Sequence, residues 1–372
     1  MTLKSMRLHI AIFGRTNAGK STLLNRIAGQ DVSIVSEIPG TTTDVVEKSM
    51  ELLPIGPVTF LDTAGLDDVS ELGEKRVEKT LKVLNRTDVA VIVADEVGEH
   101  ETELIERLEK LKIPYFIFNR EDEVSKFKEM LVRVLGDVDS PKIIGDLVPA
   151  GSTVILVIPI DKEAPKGRII LPQVQTIRDL LDNECITIAV KETDLQAALD
   201  NLKTPPALVV TDSQAFSQVS KIVPENIPLT SFSILFARLK GDLDEFVKGA
   251  QAIESLQDAD KVLILESCTH HAIEDDIGRV KIPKWLRQKT GKDLKIENYA
   301  GHDMPEVAGY SLIIHCGACM TNRREVLSRI LIANDKNIPI TNYGVVIAYC
   351  LGILPRAISP LSGYRQPQMP LP

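Results

Sequence analysis

The chain has 372 residues, 44% of them hydrophobic, and a formal net charge of −9. That length predicts two or three domains, and the acidic balance argues against a broad phosphate-binding surface, so no nucleic-acid partner is expected. No apolar run reaches the roughly 18–20 residues needed to cross a bilayer, so no membrane attachment is expected either.

The first apolar segment, Leu8 to Phe13, runs directly into a glycine-rich loop. It therefore reads as a core strand and not as a signal peptide. The five cysteines form no regular framework. They suit a reducing cytoplasm and metal or redox roles better than disulfides.

Gly14-Arg15-Thr16-Asn17-Ala18-Gly19-Lys20-Ser21 is G-x-x-x-x-G-K-S, between a strand and a helix-compatible run. Glycines there let backbone N–H groups close around phosphate oxygens, and the helix N-terminus adds positive potential. Asn17, Ala18, Gly19, Lys20, Ser21 and Thr22 are the expected phosphate contacts. Lys20 is placed to reach the β- and γ-phosphates, and Ser21 to hold Mg²⁺.

Asp31 to Asp44 reads as a mobile polar loop containing Pro39-Gly40-Thr41-Thr42-Thr43-Asp44. Thr42 is expected to give Mg²⁺ its second hydroxyl when the loop closes on triphosphate. Val58 to Leu61 reads as a strand ending in Asp62-Thr63-Ala64-Gly65, a D-x-x-G. Asp62 is expected to organise Mg²⁺ through water, and the Gly65 amide to meet the γ-phosphate. Val89 to Ala94 and Tyr115 to Phe118 are further buried strands, each after a helical pattern. The pattern predicts a doubly wound α/β sheet with its ligand at the carboxyl ends of the strands.

PGTTTD followed by DTAGL resembles the TrmE, Era and EngA group of GTPases. That resemblance implies GTP as ligand and gives Asn17 the role of K⁺ ligand in a K⁺-stimulated enzyme. Leu66 stands where Ras-type enzymes carry the water-positioning glutamine, so hydrolysis is expected to be slow. Glu71 or Glu74 is a candidate to orient water; the alternative is a solvated helix face.

Asn119-Arg120-Glu121-Asp122 resembles N-K-x-D with arginine for lysine. Asp122 and Asn119 would read the guanine edge, whereas Arg120 cannot simply replace the lysine stem. One helix, about Glu123 to Leu135, then leads to Asp137-Val138-Asp139-Ser140-Pro141. The last strand of a complete G domain and its S-A-K loop are missing, unless Val124-Ser125-Lys126 is a remnant. The G domain reads as truncated, which bears on guanine selectivity.

Asp137 to Gly151 reads as a linker. A second α/β unit follows, with strands at Thr153 to Ile160, Cys185 to Val190 and Ala207 to Thr211. Between them lie helices at Gln173 to Asp182, Glu192 to Asn201 and Ser213 to Ile222. This unit shows no catalytic constellation, so packing and self-association are its expected roles. Cys185 reads as a buried core thiol.

A third unit begins near Thr230. The helix Asp242 to Leu256 leads into the strand Lys261 to Leu265, which ends in Glu266-Ser267-Cys268-Thr269-His270-His271. A second strand, Tyr310 to Ile314, ends in His315-Cys316-Gly317-Ala318-Cys319. If these strand ends are neighbours in one parallel sheet, Cys268 can meet Cys316 and Cys319. Three thiolates suit zinc or an iron–sulfur cluster. With no obvious fourth ligand, they fit a [4Fe-4S] cluster with one labile position better. His270 and His315 are candidate fourth ligands; the alternative is that they hydrogen-bond a sulfur or a carboxylate. Cys350, in the apolar stretch Val345 to Ile353, reads as core.

Taken together, C-x-H…H-C-x-x-C, with Ile277 to Pro283 and Thr341-Asn342-Tyr343-Gly344, resembles the HydF family of [FeFe]-hydrogenase-maturation GTPases. The resemblance covers nearly the whole chain. It implies a GTP-binding domain over 1–138, a dimerisation domain over 145–229 and a cluster-binding domain over 230–372. It also implies a homodimer or higher assembly, and a scaffold that receives a diiron precursor and delivers it to apo-[FeFe]-hydrogenase. Two radical-SAM maturases are the implied upstream partners. The rivals are an RNA-modification or ribosome-associated TrmE/Era-like GTPase, and a redox-sensing GTPase.

Overall fold

The computed structural model describes residues 6–29, 34–38, 46–67, 82–136, 142–160, 166–267, 276–319 and 321–361. These form two compact units, one built on the chain through Gly136 together with residues 321–328, the other on residues 142–319 and 329–361.

The first unit holds a six-stranded sheet of β1 (Leu8–Phe13), β2 (Ile34–Ile38), β3 (Val46–Leu52), β4 (Gly56–Asp62), β5 (Val89–Val93) and β6 (Tyr115–Phe118). Its order is β2-β3-β4-β1-β5-β6. The β2–β3 and β3–β4 pairs are antiparallel and the others parallel. Strand β1 is buried on both faces, which explains its unbroken apolar run. Ile10 and Ile12 pack with Leu24, Phe60, Phe118 and Phe127 on one side. Ala11 and Phe13 pack with Leu61, Ile92 and Leu104 on the other. The segment expected to be a polar loop from Asp31 to Asp44 contains β2, because Ile34–Ile38 extends the sheet edge along β3. Thr41, Thr42, Thr43 and Asp44 lie outside the described residues, as do Glu71 and Glu74.

Beyond β6 the helix Val124–Leu135 closes this sheet, and no strand follows among the described residues until Thr153. Val124, Ser125 and Lys126 are therefore the opening turn of that helix and not a remnant base-binding loop. The stretch expected to be a linker is also partly structured. Ile143 and Ile144 are buried, and the amides of Ile144 and Gly145 donate to Asp179 Oδ2 at 2.9 and 2.7 Å.

The second unit carries two parallel four-stranded sheets. One comprises β7 (Thr153–Val157), β8 (Ile186–Val190), β9 (Leu208–Thr211) and β10 (Leu229–Ser231), in the order β10-β9-β7-β8. The other comprises β11 (Lys261–Glu266), β12 (Lys295–Ala300), β13 (Leu312–His315) and β14 (Ile340–Asn342), in the order β12-β11-β13-β14. Strands β10 and β14 feed straight into helices Phe232–Lys240 and Tyr343–Cys350. Ser231 and Asn342 cap those helices by accepting from the amides of Ile234 and Val345. Such caps let a strand turn into a helix without orphaning the first amides. The expected strand from Tyr310 begins only at Leu312; Tyr310 instead donates its hydroxyl to Glu297 Oε2 at 2.5 Å. No described helix is long and apolar enough to cross a membrane.

Candidate functional site

In the first unit, the loop after β1 turns sharply at Gly14, where a Cβ would lie 2.5 Å from the Val93 carbonyl oxygen. Asn17 and Gly19 then adopt left-handed backbone, φ 62 and 95. Asparagine and glycine are the residues that tolerate this conformation. Helix Lys20–Ala28 starts directly behind. Lys20 folds back over the loop and donates from Nζ to the carbonyls of Gly14 and Arg15 at 2.9 and 2.8 Å. Burial lowers its pKa, and the charges of Asp62 and Asp67 oppose that. Ala18 packs partly against the core, whereas Thr22 is exposed on the first helical turn.

Two of the residues expected at Mg²⁺ meet here. Ser21 Oγ donates to Asp62 Oδ2 at 3.0 Å. The D-x-x-G turn lies against the glycine-rich loop, since a Cβ on Gly65 would sit 2.2 Å from Thr16 Oγ1. Leu66 donates its amide to the Gly14 carbonyl at 3.2 Å, and its side chain is buried in the core beside Phe13 and Leu61. A side chain committed to the core is unavailable to hold water.

Asp67 was not expected here. Its Oδ1 accepts the Thr16 amide at 2.6 Å. Burial pushes the Asp67 carboxyl up, but the Thr16 amide and hydroxyl outweigh it and hold the group low. Arg15 is clamped bidentately by Glu101, at 3.0 and 2.8 Å.

At the end of β6, Asn119 Oδ1 accepts the Glu121 amide at 3.0 Å, and the Asn119 carbonyl accepts the Asp122 amide at 3.0 Å. Both base-reading candidates thus share one turn. Arg26, on the helix behind the glycine-rich loop, donates to the carbonyls of Arg120 and Asp122 at 2.8 Å each. Arg120 pairs with Asp95 at 3.2 Å, and its Cβ lies 3.6 Å from the place of a Cβ on Gly19. The arginine stem therefore runs beside the glycine-rich loop. Lys126 holds Asp122 Oδ2 at 2.8 Å.

In the second unit, β11 and β13 are parallel neighbours with Leu265 opposite His315, so the two cysteine-bearing strand ends lie side by side. Cys268, His270 and His271 lie outside the described residues. Cys316 is buried, and its Sγ accepts the Ser267 amide at 3.4 Å and lies 3.6 Å from Ser267 Oγ. Ala318 follows in left-handed backbone, φ 55, and Cys319 is half-buried. Burial alone would raise the Cys316 thiol. Hydrogen bonds from the Ala318 amide and the Ser267 hydroxyl act against burial and favour the ionised sulfur. The donor set fits an iron–sulfur group: a buried cysteine sulfur that accepts an amide N–H beside a second half-buried cysteine suits such a cluster.

His315 points elsewhere. Its Nδ1 lies 2.7 Å from the Cys316 carbonyl, and its Nε2 lies 2.7 Å from Arg329 Nη1. A guanidinium only donates, so Nε2 is the acceptor and Nδ1 the N–H. The cation of this pair accordingly resides on Arg329, one hydrogen bond beyond the histidine.

The Ile277–Lys281 turn brings Arg279 to 3.4 Å from Glu266 Oε2, and the Tyr343 hydroxyl donates to Glu266 Oε1 at 3.2 Å. Gly278 leaves room for that hydroxyl, since a Cβ would lie 2.0 Å from it. Burial, then the charges of Glu266 and Cys316, raise the Tyr343 phenol. Cys185 and Cys350 are elsewhere. Cys185 is buried, with a thiol raised by burial; Cys350 is only half-buried, and burial pushes its thiol up to about 11. Asp67, Arg26 and Arg329 carried no sequence signal, since each acts through contacts distant in the chain.

The glycine-rich loop at the carboxyl end of β1, with Ser21 meeting Asp62 across it, defines a P-loop GTPase domain. Residues 9–120 match the family model for the 50S ribosome-binding GTPase. Residues 143–241 match the hydrogen maturase F dimerization domain, and residues 244–360 its tetramerization domain. The chain belongs to the hydrogen maturase F (HydF) family of hydrogenase-maturation GTPases.

Among curated relatives, GTPase Der of Kosmotoga olearia is 38% identical over 135 residues, 34% of this chain and 30% of that protein. The tRNA modification GTPase MnmE of Roseobacter denitrificans is 48% identical over 104 residues, 27% of this chain and 23% of that protein. The chain thus spans less than a third of either. Among solved structures, the G domain of the T. maritima FeoB iron transporter is 21% identical, with TM-score 0.25. That alignment covers 35% of this chain and 99% of the FeoB chain. Aquifex aeolicus Era is 17% identical, with TM-score 0.24, over 80% of this chain and 94% of its own.

Proposed function

We propose that this chain is a GTP-hydrolysing scaffold that carries a [4Fe-4S] cluster and, as cargo, a diiron precursor destined for apo-[FeFe]-hydrogenase. The observation that carries this reading is Cys316. It is a buried cysteine at a parallel strand end, its sulfur accepting the Ser267 amide, beside the strand that leads to Cys268. Cys268, Cys316 and Cys319 are the proposed ligands. Bound there, the cluster supplies an iron with an exchangeable position for the cargo. Ser267 and Ala318 hold the Cys316 sulfur through its hydrogen bonds.

At the other site, Lys20, Ser21, Asp62 and Gly65 are the proposed triphosphate and Mg²⁺ machinery, with Thr42 completing the metal shell. Asn17 is the proposed K⁺ ligand, and Asn119 and Asp122 the guanine readers. With Leu66 in the core, no glutamine-like side chain orients water from that position, which supports slow, K⁺-stimulated turnover. The two hydrogen maturase F models support a homodimer or higher assembly. The radical-SAM maturases and apo-hydrogenase are the proposed partners, and the cytoplasm the proposed compartment. The domain division proposed is 1–138, 145–229 and 230–372. A TrmE/Era-like role in RNA modification is disfavoured, because likeness to MnmE covers only 23% of that protein.

The test is transfer. The chain is isolated anaerobically from cells expressing the maturases and mixed with apo-hydrogenase. Recovered hydrogen evolution is expected, and recovery no greater than with chain from maturase-free cells would sink the proposal.

A further inference from the structure

Arg329 is among the largest fully buried side chains described, and it rises from the helix Arg323–Asp335 into the strand-end crevice of the third sheet. Burying a guanidinium is costly unless its donors are used. Here Nη1 donates to Ser267 Oγ at 2.8 Å and to His315 Nε2 at 2.7 Å. Nη2 donates to the carbonyls of Gly301 and His302 at 2.7 and 3.0 Å. Those partners follow or end β11, β13 and β12 respectively, so one planar fork ties three strand ends together.

We propose that Arg329 is the positioning residue of the thiolate site, holding His315 as a hydrogen-bond acceptor outside the ligand set and setting a buried positive charge behind Cys316. This rests on the reading of that site as a cluster site. Two relays leave the guanidinium. One passes through Ser267, whose hydroxyl accepts from Arg329 and can turn its own proton to the Cys316 sulfur 3.6 Å away. The other passes through His315, whose Nδ1–H then reaches the Cys316 carbonyl. With Nε2 engaged by a donor and Nδ1 by a carbonyl, neither ring nitrogen offers iron a free lone pair. The arrangement is an outer support of the kind that orients metal ligands in other proteins. A positive charge behind the sulfurs favours the reduced, more negative form of a bound cluster.

The test has two arms, both on the full chain. In the metal-free protein, imidazole ¹⁵N spectra of selectively labelled histidine report the tautomer, with His315 assigned by comparison with His315→Gln. The expected wild-type result is His315 protonated on Nδ1, and Arg329→Met is expected to keep that tautomer, which the Cys316 carbonyl holds, while the Nε2 resonance moves downfield as the guanidinium hydrogen bond is lost. His315 protonated on Nε2 in the wild type, or an Nε2 resonance unmoved in a folded Arg329→Met, overturns the proposal. In the anaerobically reconstituted protein, the nitrogen hyperfine spectra of wild type and His315→Gln are expected to coincide. The midpoint potential is expected to move negative in Arg329→Met and to stay nearer wild type in Arg329→Lys. A strongly coupled nitrogen that vanishes in His315→Gln overturns the proposal. Failure of the wild type to take up iron and sulfide would instead defeat the cluster reading, and the tautomer arm then decides on Arg329 alone.

Discussion

Arg26→Ala removes the only described side-chain tie between the helix behind the P-loop and the turn that carries Asn119 and Asp122. Two charge-assisted hydrogen bonds of 2.8 Å are lost, one of them exposed to solvent. Bonds to a charged donor are worth about 1.5–3 kcal/mol each when shielded. Discounting the exposed one and the partial exposure of the other leaves about 1–2 kcal/mol. That predicts GDP affinity falling roughly 5- to 30-fold, because a base-reading turn cut loose must be ordered at the expense of binding. Inorganic pyrophosphate, which needs the P-loop alone, is expected to bind as in the wild type. Titration calorimetry of both ligands with Mg²⁺ measures this. Unchanged GDP affinity refutes the idea that Arg26 supports base recognition, and equal losses for GDP and pyrophosphate would show instead that it supports the P-loop.

Three further outcomes are expected. GTP hydrolysis should run faster in K⁺ than in Na⁺ at equal ionic strength, and Asn17→Ala should erase the difference; equal wild-type rates would remove K⁺ from the account. Lys20→Ala should abolish nucleotide binding yet leave reconstituted iron content unchanged, because Lys20 and Cys316 belong to separate compact units; iron lost with nucleotide would contradict that independence. Ile186 is 55% exposed on β8, the edge strand of its sheet, as an apolar edge suited to self-association would be. Ile186→Lys should raise the monomer fraction in sedimentation velocity, by about 10- to 100-fold in Kd for a lost buried isoleucine, and an unaltered assembly would place the interface elsewhere.

The parts of the fold that were legible in the sequence are those dictated locally. The apolar run of β1 is unbroken because both of its faces are covered; Tyr115–Phe118 appears with the expected limits because Phe116 and Phe118 face the core, although Ile117 is exposed on this edge strand. Strand β12 escaped notice because Lys295–Ala300 is a mostly exposed edge strand whose sequence, KIENYA, carries no apolar face. Strands β10 and β14 have only three residues each, all buried, too few to show an alternation. The Ser21–Asp62 pairing was readable because a P-loop and a D-x-x-G have fixed places in a doubly wound sheet. The second line of residues was not. Arg329 reaches Ser267 and His315 across 62 and 14 residues, and no spacing rule encodes such contacts. Gly278 and Tyr343 stood out only as family-like text; their reason is the packing of a phenol against a glycine beside Glu266.

The most direct test of the cluster-carrying scaffold is reconstitution of the five single cysteine-to-serine variants under strict anaerobiosis, with iron, sulfide and reduced-state EPR measured on each. The account predicts a full [4Fe-4S] signal in the wild type, Cys185→Ser and Cys350→Ser, and its loss in Cys268→Ser, Cys316→Ser and Cys319→Ser. A full signal in Cys316→Ser, the residue whose buried and hydrogen-bonded sulfur carries the proposal, would contradict it.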